Sequence, residues 1–134
     1  MQRGMIDRVI VGADRITRTG HVFNKVGTYQ IATLAKKHHV PFYVAAPLST
    51  FDFETNWKDV KIEERSPDEV RRMGGRQTAP ENVAVFNPAF DVTPPELITA
   101  IMTEEGVLTK PFAPKINRLR RKVLARRRAK GPVA

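Results

Sequence analysis

The sequence predicts an α/β protein: a partial doubly wound, Rossmann-like parallel sheet with flanking helices, followed by a basic helical tail. Three observations predict it. Two short apolar runs, residues 6–11 (IDRVIV) and 41–46 (PFYVAA), bracket a segment with helical periodicity. A second segment of helical spacing begins at Thr93-Pro94-Pro95-Glu96, which reads as a capping box with proline at the first helical position. Beyond Lys115 the chain carries nine cations, counting Lys115 itself, and no acid.

Taken in order, residues 6–11 form a strand that runs into the loop Gly12-Ala13-Asp14, which places Asp14 at a strand's carboxyl end. After the turn at Thr19-Gly20, Asn24 is the expected N-cap of a helix whose apolar face carries Ile31, Leu34, Ala35 and His38. Residues 41–46 return as a second buried strand closed by Pro47, so the first third of the chain is one βαβ unit with a right-handed crossover. Residues 48–82 are an excursion outside the sheet. Its aromatics Phe51, Phe53 and Trp57 read as core or dimer contacts, with a capped turn at Ser66-Pro67-Asp68-Glu69 and a break at Gly74-Gly75. Residues 83–86 give a third short strand. A helix follows on Leu97, Ile98, Ile101 and Met102, ending at Gly106. Parallel strands need cover on both faces, so an amino-terminal partner domain, a second copy of the chain, or both are expected on the open side.

Two regions follow: an α/β domain over 1–112 and a tail over 113–134. In the tail Ile116, Leu119, Val123 and Leu124 recur at helical spacing between Pro114 and Gly131-Pro132. Such a helix either docks its apolar stripe on its own domain or makes nonspecific contact with RNA or another acidic surface through 115–130. The net charge of +9 lies in this tail, because residues 1–114 hold fourteen basic and fourteen acidic side chains.

Composition narrows the chemistry. Zero cysteines exclude disulfides, thiolate nucleophiles and zinc ribbons, and three histidines leave little for a transition-metal site, so neither metal nor organic cofactor is expected. His38-His39 falls in an expected last helical turn, where histidine complements the helix dipole. No apolar run approaches the roughly 20 residues of a bilayer span and no signal-peptide core is present, which gives a cytoplasmic reading. The motifs of dinucleotide, nucleoside triphosphate and serine-hydrolase sites are absent. What remains is the carboxyl edge of the sheet, where ligands of open α/β sheets bind. There Asp14 can move a proton, Lys25 offers a point charge to a phosphate, and Asn24 can cap a helix or bond a sugar hydroxyl.

Five stretches carry a specific resemblance: Gly12-Ala13-Asp14-Arg15-Ile16, Asn24-Lys25-Val26-Gly27-Thr28-Tyr29, residues 41–47, Ile62-Glu63-Glu64-Arg65, and Asn87-Pro88-Ala89-Phe90-Asp91-Val92-Thr93-Pro94. In order and spacing, over about residues 6 to 112, the chain resembles the carboxy-terminal half of the S-methyl-5-thioribose-1-phosphate isomerases. Their wider group includes ribose-1,5-bisphosphate isomerases and the regulatory subunits of translation initiation factor two B. The resemblance implies an aldose-to-ketose isomerisation in methionine salvage, without cofactor, in a homodimer. It makes Asp14 the proton donor and Asn24 and Lys25 the substrate-binding pair. It also implies that the catalytic cysteine and the remaining phosphate-binding arginines come from an amino-terminal half, without which this chain is expected to be inactive. Acid catalysis near neutral pH needs apolar surroundings that favour a protonated carboxyl, which residues 9–11 are expected to help supply, with Arg15 turned away or paired elsewhere. The alternative reading is a noncatalytic regulatory module that senses a sugar phosphate or nucleotide in the same pocket, or a ribose-1,5-bisphosphate isomerase relative.

Overall fold

A computed structural model describes residues 1–129; Lys130 and Gly131-Pro132, counted above with the tail, lie outside the described residues. Strand β1 (Val9–Val11) pairs in parallel with β4 (Phe42–Ala45), and β4 in parallel with β9 (Ala100–Thr103); β10 (Gly106–Thr109) closes that sheet antiparallel, in the order β1-β4-β9-β10. A second sheet has the order β5-β2-β3-β8, from β2 (Arg15–Thr17), β3 (Val22–Lys25), β5 (Phe51–Asp52) and β8 (Phe90–Thr93). The parallel layer is therefore present, but its third parallel strand is 100–103. Residues 83–86 form no strand.

The helix expected from Thr93 onward is replaced by a single 3-10 turn, Pro95–Leu97, and the β9–β10 hairpin. Ile98, Thr99, Ile101 and Thr103 are β-branched and favour extended backbone, and their apolar members merely coincide with helical spacing. Thr99 fixes the strand in place: its N–H donates to the Phe42 carbonyl at 2.7 Å, and its hydroxyl accepts from the Phe42 N–H at 3.0 Å. Glu104 and Glu105 form the two-residue loop between Thr103 and Gly106, whose φ of 118° suits only glycine well.

The first helix also starts later than its sequence suggests. Helix α1 is Thr28–Lys37, preceded by Gly27 at φ 104°, so Asn24 is no N-cap and stays with Lys25 in strand β3. Its buried residues are Thr28, Ala32 and Ala35, small enough for a close approach to the sheets, while Ile31 and Leu34 are exposed. The helix ends where His39 turns left-handed at φ 56°: the Val40 N–H reaches the Ala35 carbonyl at 2.8 Å and Pro41 stops continuation.

Of the excursion expected over 48–82, Phe51–Asp52 instead joins the second sheet as β5, and the segment outside both sheets is 53–88. Helix α2 (Asp68–Arg71) runs into the ribbon of β6 (Arg72–Met73) and β7 (Arg76–Gln77), and the arm is tied back through a bridge between Glu64 and Pro88. Helix α3 (Phe112–Ala129) buries Phe112, Ile116 and Leu119 in the same cluster as Ile16, Val22, Phe42, Val44, Ile98 and Ile101. Gly20 makes that docking possible, since a Cβ there would lie 2.9 Å from the Phe112 Cβ. Among the described residues, no helix is long and apolar enough to cross a membrane.

Candidate functional site

Strands β1, β4 and β9 run the same way, so their carboxyl ends present Asp14, Leu48 and Glu104 along one edge. Asp14 is held there by its backbone, whose N–H donates to the Phe23 carbonyl at 2.8 Å, and its side chain is exposed. It lines two cavities. The larger, about 780 Å³, lies between the 48–54 segment and the distal half of α3, with Leu48, Phe51, Phe53, Arg120 and Leu124 in its wall. The smaller, about 270 Å³, is formed by Asp14 and Arg15 with Phe23, Val60, Ile62 and Phe90. The carboxyl's apolar surroundings are therefore these aromatics and aliphatics. The strand residues 9–11 expected to supply them do not do so in full, because Ile10 projects away and is 62% exposed.

Arg15 is paired elsewhere: its Nη1 donates to Asp52 Oδ2 at 2.9 Å. Burial opposes the Asp52 charge, but the Thr55 backbone N–H and hydroxyl, the Glu54 N–H and the Arg15 guanidinium together hold its carboxyl below the usual aspartate range. Asp52 stays ionised, and Arg15 is neutralised without recruiting Asp14.

Asn24 and Lys25 are neighbours in an extended strand and therefore alternate across it. Lys25 lies opposite Phe90 of β8 and stands over its ring, Nζ 5.7 Å from the centroid; Phe90, not Lys25, lines the smaller Asp14 cavity. Asn24 lies opposite Asp91, and its Nδ2 donates to Thr28 Oγ1 at 3.1 Å; that hydroxyl in turn donates to the Lys25 carbonyl at 2.7 Å. Phe90 thus stands between Asp14 and Lys25, its ring under Lys25 and on the wall of the Asp14 cavity, while Asn24 turns to the other face of the strand.

The amino-terminus of α1 does not offer its N–H groups freely. The Asp91 carboxylate accepts from Gly27 N–H at 2.7 Å and from Tyr29 N–H at 3.1 Å. Asp91 was not singled out by spacing, and no local pattern could have marked it, since 64 residues separate it from Gly27. Arg120 and Arg126 were likewise read only as tail charge. They reach back to the body, Arg120 Nη2 to Glu54 Oε1 at 2.6 Å and Arg126 to Glu105, and both line the larger cavity. Trp57 stacks on His21 with centroids 4.4 Å apart, beside a Thr19 hydroxyl 2.9 Å from His21 Nδ1. Among the described residues, no cluster of three histidine, aspartate or glutamate side chains could hold a metal ion.

Comparison with known proteins adds to this geometry. The sequence profile described as the Initiation factor 2 subunit family matches residues 1–110. The methylthioribose-1-phosphate isomerase of Carboxydothermus hydrogenoformans is 55% identical over 120 residues, covering 89% of this chain and 35% of that protein. A span of that length cannot fit within residues 1–112, so the likeness runs into the first turns of α3, further than the sequence motifs suggested. Among solved structures, the 5-methylthioribose 1-phosphate isomerase of Pyrococcus horikoshii matches with a TM-score of 0.84 at 50% identity, over 88% of this chain and 33% of that one. A structure titled as the delta subunit of translation initiation factor eIF-2B from A. fulgidus matches with a TM-score of 0.80 at 57% identity, over 86% and 34%. The chain spans about a third of the length of the relatives it matches.

Proposed function

Because the chain belongs to the Initiation factor 2 subunit family, we propose that it carries the acid and part of the sugar-phosphate cradle of an aldose–ketose isomerase that converts S-methyl-5-thioribose 1-phosphate to the corresponding ribulose phosphate in methionine salvage. One observation carries the proposal. Asp14 stands at the carboxyl edge of the parallel strands on the wall of a cavity of about 780 Å³, in a chain 55% identical over 89% of its length to a protein named for that reaction.

The chemistry suits the groups. An anomeric phosphate prevents simple ring opening, so an acid must protonate the ring oxygen while a hydrogen passes from C1 to C2 of the sugar. Asp14 supplies that proton from a carboxyl at the mouth of the cavity walled by Phe23, Phe90 and Ile62. With α1's first N–H groups occupied by Asp91, the phosphate is met by the Lys25 ammonium as a point charge. Asn24 reaches the same ligand only if the sugar lies across the end of β3, with its amide toward a hydroxyl. The remaining phosphate contacts and the second catalytic group come from an amino-terminal portion such as the relatives possess. A homodimer and a cytoplasmic setting belong to the same reading.

The test is reconstitution. This chain, mixed with the amino-terminal two thirds of a relative, is expected to turn over methylthioribose 1-phosphate. Asp14→Asn should lower kcat by about 10²–10⁴-fold, and Lys25→Ala should act mainly on KM. Turnover by Asp14→Asn equal to that of the parent removes Asp14 from the mechanism.

A second reading is favoured by the match to the structure titled as an eIF-2B subunit. In it the same pocket binds a sugar phosphate or nucleotide without turnover. Saturable binding by the reconstituted protein with no isomerisation would select it, and faster turnover of ribose 1,5-bisphosphate would move the substrate within the isomerase reading.

A further inference from the structure

Helix α3 has two faces of opposite character. Phe112, Ile116 and Leu119 are buried in the body, with Val123 half-buried beyond them, so the apolar stripe is already engaged. At 3.6 residues per turn, Arg118, Arg121 and Arg128 fall on the side turned away from that stripe and Lys122 on its flank, near Glu105, and all four are exposed. They differ from the other charges of the helix. Arg120 and Arg126 are neutralised by Glu54 and Glu105, and Lys115 donates to the Thr109 and Lys110 carbonyls. Arg118, Arg121, Lys122 and Arg128 make no ion pair among the described residues, and α3 holds no acid that could supply one. The result is a patch of positive charge about 15 Å long on one helix.

We propose that this stripe binds the phosphodiester backbone of double-helical nucleic acid. Three features select that partner. An interfacial membrane helix must bury its apolar face in lipid, but here that face is committed to the protein core, leaving Leu124 as the main exposed apolar side chain of the helix. A protein partner would need an apolar or aromatic centre from which charge is depleted, and the stripe has none. Single strands are gripped by aromatic stacking, and the stripe carries no aromatic side chain. What it does carry, three guanidiniums and an ammonium within about 15 Å of helix, is cationic surface of the kind that phosphate backbones bind. Arginine can hold a phosphate through two N–H groups, and binding releases counterions. The contact is independent of base sequence, and it does not rest on the proposed isomerase reading.

The experiment uses the full chain and fluorescein-labelled 20-base-pair duplexes of RNA and of DNA, titrated between 50 and 200 mM salt. Binding to a duplex should weaken about 100-fold across that range, the slope expected for about four phosphate contacts. The RNA and DNA arms identify which duplex the stripe prefers. Replacing Arg118, Arg121, Lys122 and Arg128 together by Gln should abolish binding. Replacing the exposed Arg3, Arg8, Lys37 and Arg76 by Gln should leave it within about twofold, since nonspecific contact is local to the stripe. If the quadruple stripe variant fails to fold, Arg118→Gln and Arg121→Gln singly should each reduce the salt slope by about one. Equal loss in the control variant, unchanged binding in the stripe variants, or tighter capture by polyglutamate or by phosphatidylserine vesicles would overturn the proposal.

Discussion

His21 shows how one side chain ties the second sheet's turn to the excursion and makes stability depend on pH. Its ring stacks flat on Trp57, the only tryptophan, and hydrogen bonds to Thr19. Burial disfavours the charged imidazolium, and the negative charge of Glu96 opposes that only in part, so the folded state holds His21 below the ordinary histidine value. As pH falls, the unfolded chain therefore takes up this proton first. The stabilisation is complete above about pH 6.5 and is lost as pH drops toward the folded-state value. Chemical denaturation at a series of pH values should show this decline between neutral and mildly acidic pH, and His21→Gln should flatten it. A parent curve already flat between pH 7 and 5 would contradict the assignment. Among the described residues Asp14 has no comparable anchor, because its contacts are through the backbone, and this leaves its carboxyl available to a ligand.

At the scale of elements, Asp91 does for α1 what a local cap does elsewhere. Gly27 has no side chain to offer, so the carboxylate arrives from β8, held in register by the pairing of Asn24 with Asp91. Asp91→Ala should cost about 1 kcal/mol and lower the melting temperature by several degrees, whereas Asp91→Asn should recover much of it. A thermal melt unchanged by Asp91→Ala would show that water serves those N–H groups equally well. This arrangement also explains what could be read from the sequence. Strands 9–11 and 42–45, and the loop carrying Asp14, were legible because apolar β-branched runs and a glycine break are local signals. The α1 start was not, because Asn24 is a good cap residue by type and only the long-range β3–β8 pairing keeps it extended. The 93–106 segment was misread for a related reason. Its capping-box residues fit a helix start, and Leu97, Ile98, Ile101 and Met102 fit a helix face. Burial of Ile98 and Ile101 beside Val44, and the Thr99–Phe42 pair, override that preference. The motif stretches placed Asp14 at the strand edge where two cavities open, but the alternation that sends Asn24 and Lys25 to opposite faces follows from a strand where a helix was expected.

At the scale of the whole molecule, one face of the β1-β4-β9-β10 sheet is covered and the other is not. Val9, Phe42, Val11, Val44, Ile101 and Leu108 point to the side packed by α1 and α3. On the reverse, the pairing aligns Ile10 with Tyr43, and Ala45 with Met102 and Val107, so an apolar band crosses all four strands. Ile10 and Val107, at its two margins, are each 62% exposed. A parallel sheet is stable with both faces covered, and full burial of a valine or isoleucine side chain is worth roughly 1.5–3 kcal/mol. This band is therefore where the amino-terminal portion invoked in the proposed function should dock. The chain alone should bind the apolar dye ANS, and a relative's amino-terminal two thirds should suppress that signal as it restores turnover. Replacing Ile10 and Val107 by Lys should lower dye binding with little change in the melting temperature, because both side chains already face solvent. The same double variant should block complementation while leaving Asp14 and Lys25 untouched. If it reconstitutes activity as well as the parent chain, the cover lies elsewhere, and the sheet's open face has no part in completing the site.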